Sequence, residues 1–247
     1  MIGDVWGWFA DPATWQGEDG VPNRLVEHSL LTAAALVIAL LLGMPLALWL
    51  GHRRQGGTVL VNMSNVGRAV PIVALLSLLS LGFVGSADFG PFGRAGLATL
   101  ITLALFALPP IVTGTYVGLT EVDRGMVEAA RGMGMSEAQL LRAVELPLAR
   151  PMIISGVRLA LVQVWATATV AAIVAGPGLG RIITHGYDSN RPSEVIGGSI
   201  VVAVIALLLE ILLGLAQRAA EPVPRGGERT RRRRRQGGST VREPGLV

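Results

Sequence analysis

Cysteine and lysine are both missing from this sequence, and all 21 of its basic residues are arginine. Without cysteine there is neither a disulfide framework nor a thiolate metal site, although the lack says nothing about compartment. Without lysine there is no P-loop, whose lysine must reach the nucleotide phosphates, so the chain does not bind ATP in that way. Histidine is scarce too. His28, His52 and His185 lie in different segments, so they do not combine into a metal site, and no catalytic constellation stands elsewhere in the chain. Charge is sparse at 15% of residues, against about a quarter in soluble domains. Half the residues are hydrophobic, 51%, and the mean hydropathy is +0.55. This balance points to a membrane.

Five apolar runs carry that hydropathy, at about 29–50, 69–84, 95–119, 152–175 and 195–215. Each is read as a helix crossing a hydrocarbon core of about 30 Å. The sequence therefore predicts an all-α integral membrane protein, with residues 29–217 as its transmembrane domain. Pro45 is tolerable inside the first span, because neighbouring helices can satisfy the freed carbonyl. The polar stretch from Gln55 to Arg68 reads as an interfacial helix or loop, and Arg68 as a snorkelling side chain. Pro109 and Pro110 should kink the third span. Gln163, Thr167 and Ala171 recur at four-residue steps in the fourth. Polar groups in lipid are costly, so this stripe faces a cavity or forms hydrogen bonds to a packed neighbour; both readings stay open. Glu210 lies in the fifth span.

The ends are different in kind. Residues 1–28 hold Trp6, Trp8, Trp15, several acids and a single Arg24, with no basic stretch ahead of an apolar core. They are expected to be an exported segment rather than a cleaved signal, either anchored at the headgroups by Trp or loosely ordered. Residues 218–247 are rich in Arg, Gly and Pro, with five consecutive arginines from Arg231, and are expected to be disordered. The arginine run lacks the interleaved aromatics of a nucleic-acid site, so anionic membrane lipid is its expected partner. With the N-terminus outside, the cytoplasmic segments hold fifteen arginines besides the snorkelling Arg68, and the exported ones four. The positive-inside rule selects N-out, C-in.

Between the third and fourth spans lies the one long polar segment flanked by strongly apolar ones, 120–151. Asp123 should start a short helix with Met126, Ala130 and Met133 on one face. Gly134 can end it in the left-handed conformation. Ser136 and Gln139 form a capping box for a second helix bearing Leu140, Leu141 and Val144, which Pro147 and Pro151 should stop. Such a hairpin is built to dock into a groove.

This hairpin resembles the EAA loop of permease subunits of bacterial binding-protein-dependent ABC importers. Glu128, Ala129, Ala130, Gly134, Val144, Leu146 and Pro147 fill the places of that signature, and by resemblance they couple to an ATPase. Asn65, Arg68 and Pro71 fill a second pattern of these permeases. Ala175 to Gly180 is similar to the glycine turn that follows the fourth span, with Pro177 in place of one glycine. It is no phosphate cradle, since no strand precedes it and no lysine follows. The resemblance implies the type I importer permease fold, in which the hairpin is a cytoplasmic coupling element. It further implies alternating access in the bacterial cytoplasmic membrane, two ATPase subunits, a second permease (identical or related) and an external substrate-binding protein. ATP and Mg then belong to the ATPase, and this chain carries no cofactor and is not an enzyme.

The blocks 122–135, 144–158 and 166–172 are similar to osmoprotectant permeases, which take up glycine betaine, choline or carnitine. They are shared in part with methionine importers, so methionine or another small polar solute stays as an alternative. A membrane scaffold that recruits a cytoplasmic partner is an alternative of another class. Quaternary ammonium groups favour aromatic cages, yet only Trp165 lies near mid-membrane, so the cage is expected on the binding protein. Gln163, Trp165 and Thr167 are the expected translocation-path residues.

Overall fold

The computed structural model describes residues 2–86, 92–93 and 95–220. Asp88, Arg94 and the arginine-rich tail beyond residue 220 lie outside them, as does the side chain of Arg68. The described residues are helical, with no strand among them. They form α1 (Ile2–Ala10), α2 (Pro12–Trp15), α3 (Val21–His52), α4 (Gly57–Ala69), α5 (Ile72–Leu81), α6 (Gly96–Thr120), α7 (Arg124–Gly132), α8 (Glu137–Ala168), α9 (Gly180–Asp188) and α10 (Pro192–Ala220). Four of these, α3, α6, α8 and α10, are each long and apolar enough to cross a membrane. The bent pair α4–α5 makes a fifth span if it is counted as one.

The core is a three-helix slab with α6 in the middle. Leu31, Ala35 and Ala39 of α3 meet Leu103, Ala107 and Ile111 of α6, which meet Ala160, Val164 and Ala168 of α8 on the other side. Small residues decide how close these helices come, since packing between spans rests on contact rather than on a hydrophobic drive. Ala35, Ala39, Gly43, Ala47 and Gly51 form a fully buried stripe along α3. A Cβ on Gly43 would stand 2.9 Å from Leu108 Cδ2, and one on Gly51 2.8 Å from Leu119 Cδ1. On the other face, a Cβ on Gly114 would meet the Gly156 Cα at 2.8 Å. The outermost helix is α10, whose Leu207, Leu208, Ile211, Leu212 and Leu215 are exposed. It is tied to α8 by an ion pair between Arg158 and Glu210, and Arg158 also donates to Gln217 Oε1 at 3.1 Å.

Three spans differ from their sequence-based outlines, and the fourth ends as an α-helix at Ala168, with a 3-10 turn over Val170–Val174 after it. The first helix starts at Val21 rather than Ser29. Pro22 suits a helical first turn, and Arg24 is neutralised by Asp19 and by Glu27 at 2.8 Å, so the charge does not mark an end. At 32 residues α3 is about 48 Å long, well beyond the apolar core. The second predicted span is not straight. Pro71 forces Val70 into extended backbone (φ −69, ψ 122), and Gly57–Gly67 meets Ile72–Leu81 at 75°. Alone, α5 spans about 15 Å, half a bilayer core. The third span stays one helix through Pro109 and Pro110.

Candidate functional site

The polar segment folds as a helical hairpin whose corner is fixed by local chemistry. Asp123 caps α7, its Oδ1 accepting from the Met126 N–H at 3.1 Å. Gly134 takes φ +84, and the N–H groups of Gly134 and Met135 donate to the Arg131 and Ala130 carbonyls at 2.9 and 3.2 Å. That pairing is a Schellman stop, which uses carbonyls the helix end would leave open. Both bonds of the capping box are present: Ser136 N–H to Gln139 Oε1 at 2.9 Å, and Gln139 N–H to Ser136 Oγ at 3.4 Å. Across the corner, Arg131 holds Glu137 with two bonds of 3.0 Å. That contact raises the Arg131 guanidinium above its ordinary range. Val122, Val127, Ala130 and Leu140 bury one another between the arms, with Met135 and Val144 packed beside them.

Of the residues singled out in the sequence, Glu128, Ala129, Gly134 and Pro147 are exposed, Val144 and Leu146 are half-buried, and Ala130 is buried. Met126, Ala130 and Met133 lie on one side of α7, but only Ala130 is covered there. The two methionines stand 48% and 73% exposed, beside Ala129, while Ala130 turns inward with Val127. The hairpin therefore offers an apolar, methionine-bearing face edged by an acid. Methionine adapts its shape to irregular partner surfaces.

Pro147 and Pro151 do not stop the second arm. Glu137–Ala168 is a single helical rod of 32 residues, so the arm and the fourth span are one body. A π segment, Leu141–Glu145, makes this possible. There the Leu146 N–H donates to the Leu141 carbonyl, one residue further back than in an α-helix. Pro147 then sits in the first turn of the α-helix that follows, where a missing donor costs little.

The root of the hairpin is gripped by the end of α3, which local sequence patterns did not indicate. His52 Nδ1 stands 2.5 Å from Glu145 Oε2, and its Nε2 3.0 Å from Glu137 Oε2. Glu145 is only 1% exposed. Arg54 donates to the Val122 carbonyl at 2.6 Å. One signal for Glu145 was available: it lies four residues after Leu141 and three before Leu148, an acid in a row of apolar positions.

At the other end of the slab, the three expected path residues do not converge. Trp165 is buried, its ring edge-on to His28 at 4.4 Å between centroids, and His28 Nε2 donates to the Trp165 carbonyl at 3.0 Å. The Gln163 and Thr167 side chains are half-buried on a different face. The Thr167 hydroxyl donates back to the Gln163 carbonyl at 2.6 Å, so it bonds its own helix rather than a neighbour. The glycine turn packs over this end: Gly178 has φ +104, its N–H donates to Glu27 Oε2 at 3.1 Å, and a Cβ there would meet His28 Nδ1 at 2.9 Å. A cavity of about 1020 Å³ opens there, bordered by Trp8, Arg24, Thr169, Arg181, His185 and Tyr187. None of the three path residues lines it.

Residues 31–225 match the family described as the binding-protein-dependent transport system inner membrane component. The chain belongs to this family. It is therefore an inner-membrane transport component of an ABC importer. Among its relatives, the carnitine transport permease protein OpuCD of Listeria monocytogenes is 31% identical over 82% of this chain and 87% of its own length. The choline transport system permease protein OpuBB of Bacillus subtilis is 29% identical over 81% and 88%. Among solved structures, an inward-facing conformation of the MetNI methionine ABC transporter superposes with a TM-score of 0.70 at 21% identity, covering 86% of this permease and all of that chain. That likeness establishes the fold, that of the type I importer permeases.

Proposed function

We propose that this permease imports a quaternary ammonium osmoprotectant, such as glycine betaine, choline or carnitine, by ATP-driven alternating access. The observation that carries the reading is its relatives: permeases named for choline, carnitine and glycine betaine align with about four-fifths of its length. In this reading α3 enters from outside and the hairpin lies in the cytoplasm. ATP and Mg bind a separate ATPase, two copies of which grip two hairpins, the second from an identical or related permease. Glu128, Ala129, Ala130, Gly134, Val144, Leu146 and Pro147 form or support the docking element, its exposed part being the face with Met126 and Met133. An external binding protein delivers the solute, and anionic lipid takes up the tail. Gln163, Trp165 and Thr167 are assigned to the path.

Uptake of labelled glycine betaine, choline, carnitine and methionine, with and without the gene and at low and high osmolarity, tests this. Loss of uptake of one of the first three on deletion is the expected result. Loss of methionine uptake alone would keep the permease and replace its cargo. No loss at all would refute the reading.

A further inference from the structure

His52 and Glu145 stand outside both the docking face and the path, yet they join three elements. Glu145 is a buried carboxylate whose partner is His52 at 2.5 Å. Such a group is costly unless paired, and removing its partner leaves an uncompensated buried charge. The other ring nitrogen of His52 meets Glu137, which Arg131 also holds, so the chain of contacts runs from the end of α3 across both arms of the hairpin. The neighbouring arginines are engaged elsewhere, Arg53 over the Trp49 ring at 4.8 Å and Arg54 on the Val122 carbonyl. His52 is thus the side chain of α3 that meets the rod where it passes from hairpin into membrane.

We infer that His52 and Glu145 are positioning residues that transmit movement of the hairpin to α3, so that α3 and α8 shift together when the ATPase closes. The inference rests on the reading of the chain as an ATP-coupled permease. Both ends of the link are fixed. α8 is continuous from Glu137 to Ala168, and α3 is continuous from His52 to the His28 contact at the other end. A pull on the hairpin therefore reaches the His28–Trp165 contact along two rods rather than one.

The test uses the complete importer in proteoliposomes, with solute moved per ATP hydrolysed as the readout and whichever of glycine betaine, choline or carnitine the wild type accepts as the probe. His52→Ala and Glu145→Gln are expected to retain the ATPase on purification. They should lower the ratio about tenfold, the size of a typical coupling between sites. A purely structural role would reduce the amount of assembled complex and leave the ratio per ATP unchanged; that result overturns the inference. Should His52→Ala fail to assemble, His52→Leu fills the site without a donor to Glu145, and a wild-type ratio there is equally fatal. Wild-type complexes that transport nothing refute the underlying permease reading instead, which keeps the two failures apart.

Discussion

Gly156→Ala measures whether α6 and α8 are as close as the fold requires. A Cβ at this position would lie 2.7 Å from the Pro110 carbonyl oxygen and 3.1 Å from the Gly114 Cα. Both are backbone atoms in a helix, so neither can rotate away as a side chain could. The reciprocal change meets the same wall, since a Cβ on Gly114 would stand 2.8 Å from the Gly156 Cα and 3.1 Å from the Met152 carbonyl. The helices must separate by several tenths of an ångström, which loosens the flanking contacts of Ala107, Ile111 and Ala160. Overpacking of this kind costs about 1–3 kcal/mol. At this chain length that is a fall in Tm of roughly 3–9 °C. Gly132→Ala is the control: it is helical, nothing lies within 4 Å of its Cβ, and it should gain up to about 1 kcal/mol from helix propensity alone. Heating the detergent-solubilised protein and following the monodisperse fraction reads both. Equal melting of Gly156→Ala and Gly132→Ala would refute the close approach, and with it the account of small residues as the spacing device of the slab.

Two further outcomes concern function. Glu128→Arg reverses charge at the edge of the exposed hairpin face, and Gly134→Val puts a β-branched residue at φ +84, where left-handed backbone costs about 1–2 kcal/mol. Either should release or uncouple the ATPase, and co-purification with normal transport would show that this hairpin is not the docking element. Trp165→Leu keeps bulk against His28 and preserves the carbonyl that His28 bonds, but removes the π face. If a quaternary ammonium passes this ring, uptake should slow about fivefold, the worth of a modest cation–π contact; unchanged uptake removes Trp165 from the path.

What the sequence revealed follows the range of the interaction involved. The corner of the hairpin was legible because its signals act over three to five residues. Asp123 caps, Gly134 accepts positive φ, and Ser136 with Gln139 closes the box, all as spacing predicts. The apolar spans were legible from composition, since lipid demands it of every turn. Their ends were not, because Arg24 looks like a boundary until Asp19 and Glu27 are seen to pair with it. His52–Glu145 and His28–Trp165 join residues 93 and 137 apart, and no local pattern encodes contacts of that span. The stripe of Gln163, Thr167 and Ala171 does not continue as one α-helix, since Ala171 falls in the 3-10 turn, and its period could not say that the Thr167 hydroxyl would turn back on its own helix.

The prolines show why such misreadings carry functional information. Pro147 and Pro151 predict an end to the second arm, because an α-helix that loses a donor and gains a ring clash breaks there. Here the chain inserts a π segment just ahead of Pro147, which shifts the hydrogen-bond register and lets one rod run from Glu137 into the membrane. A broken arm would have left the hairpin on a flexible joint, able to dock without moving anything behind it. Under the proposed coupling role, a continuous arm makes docking and span movement a single displacement. The buried Glu145 lies at the last position of the π segment, so the irregularity that saves the helix also aims its acid at His52. Relieving Pro147 and recruiting α3 are thus the work of the same five residues.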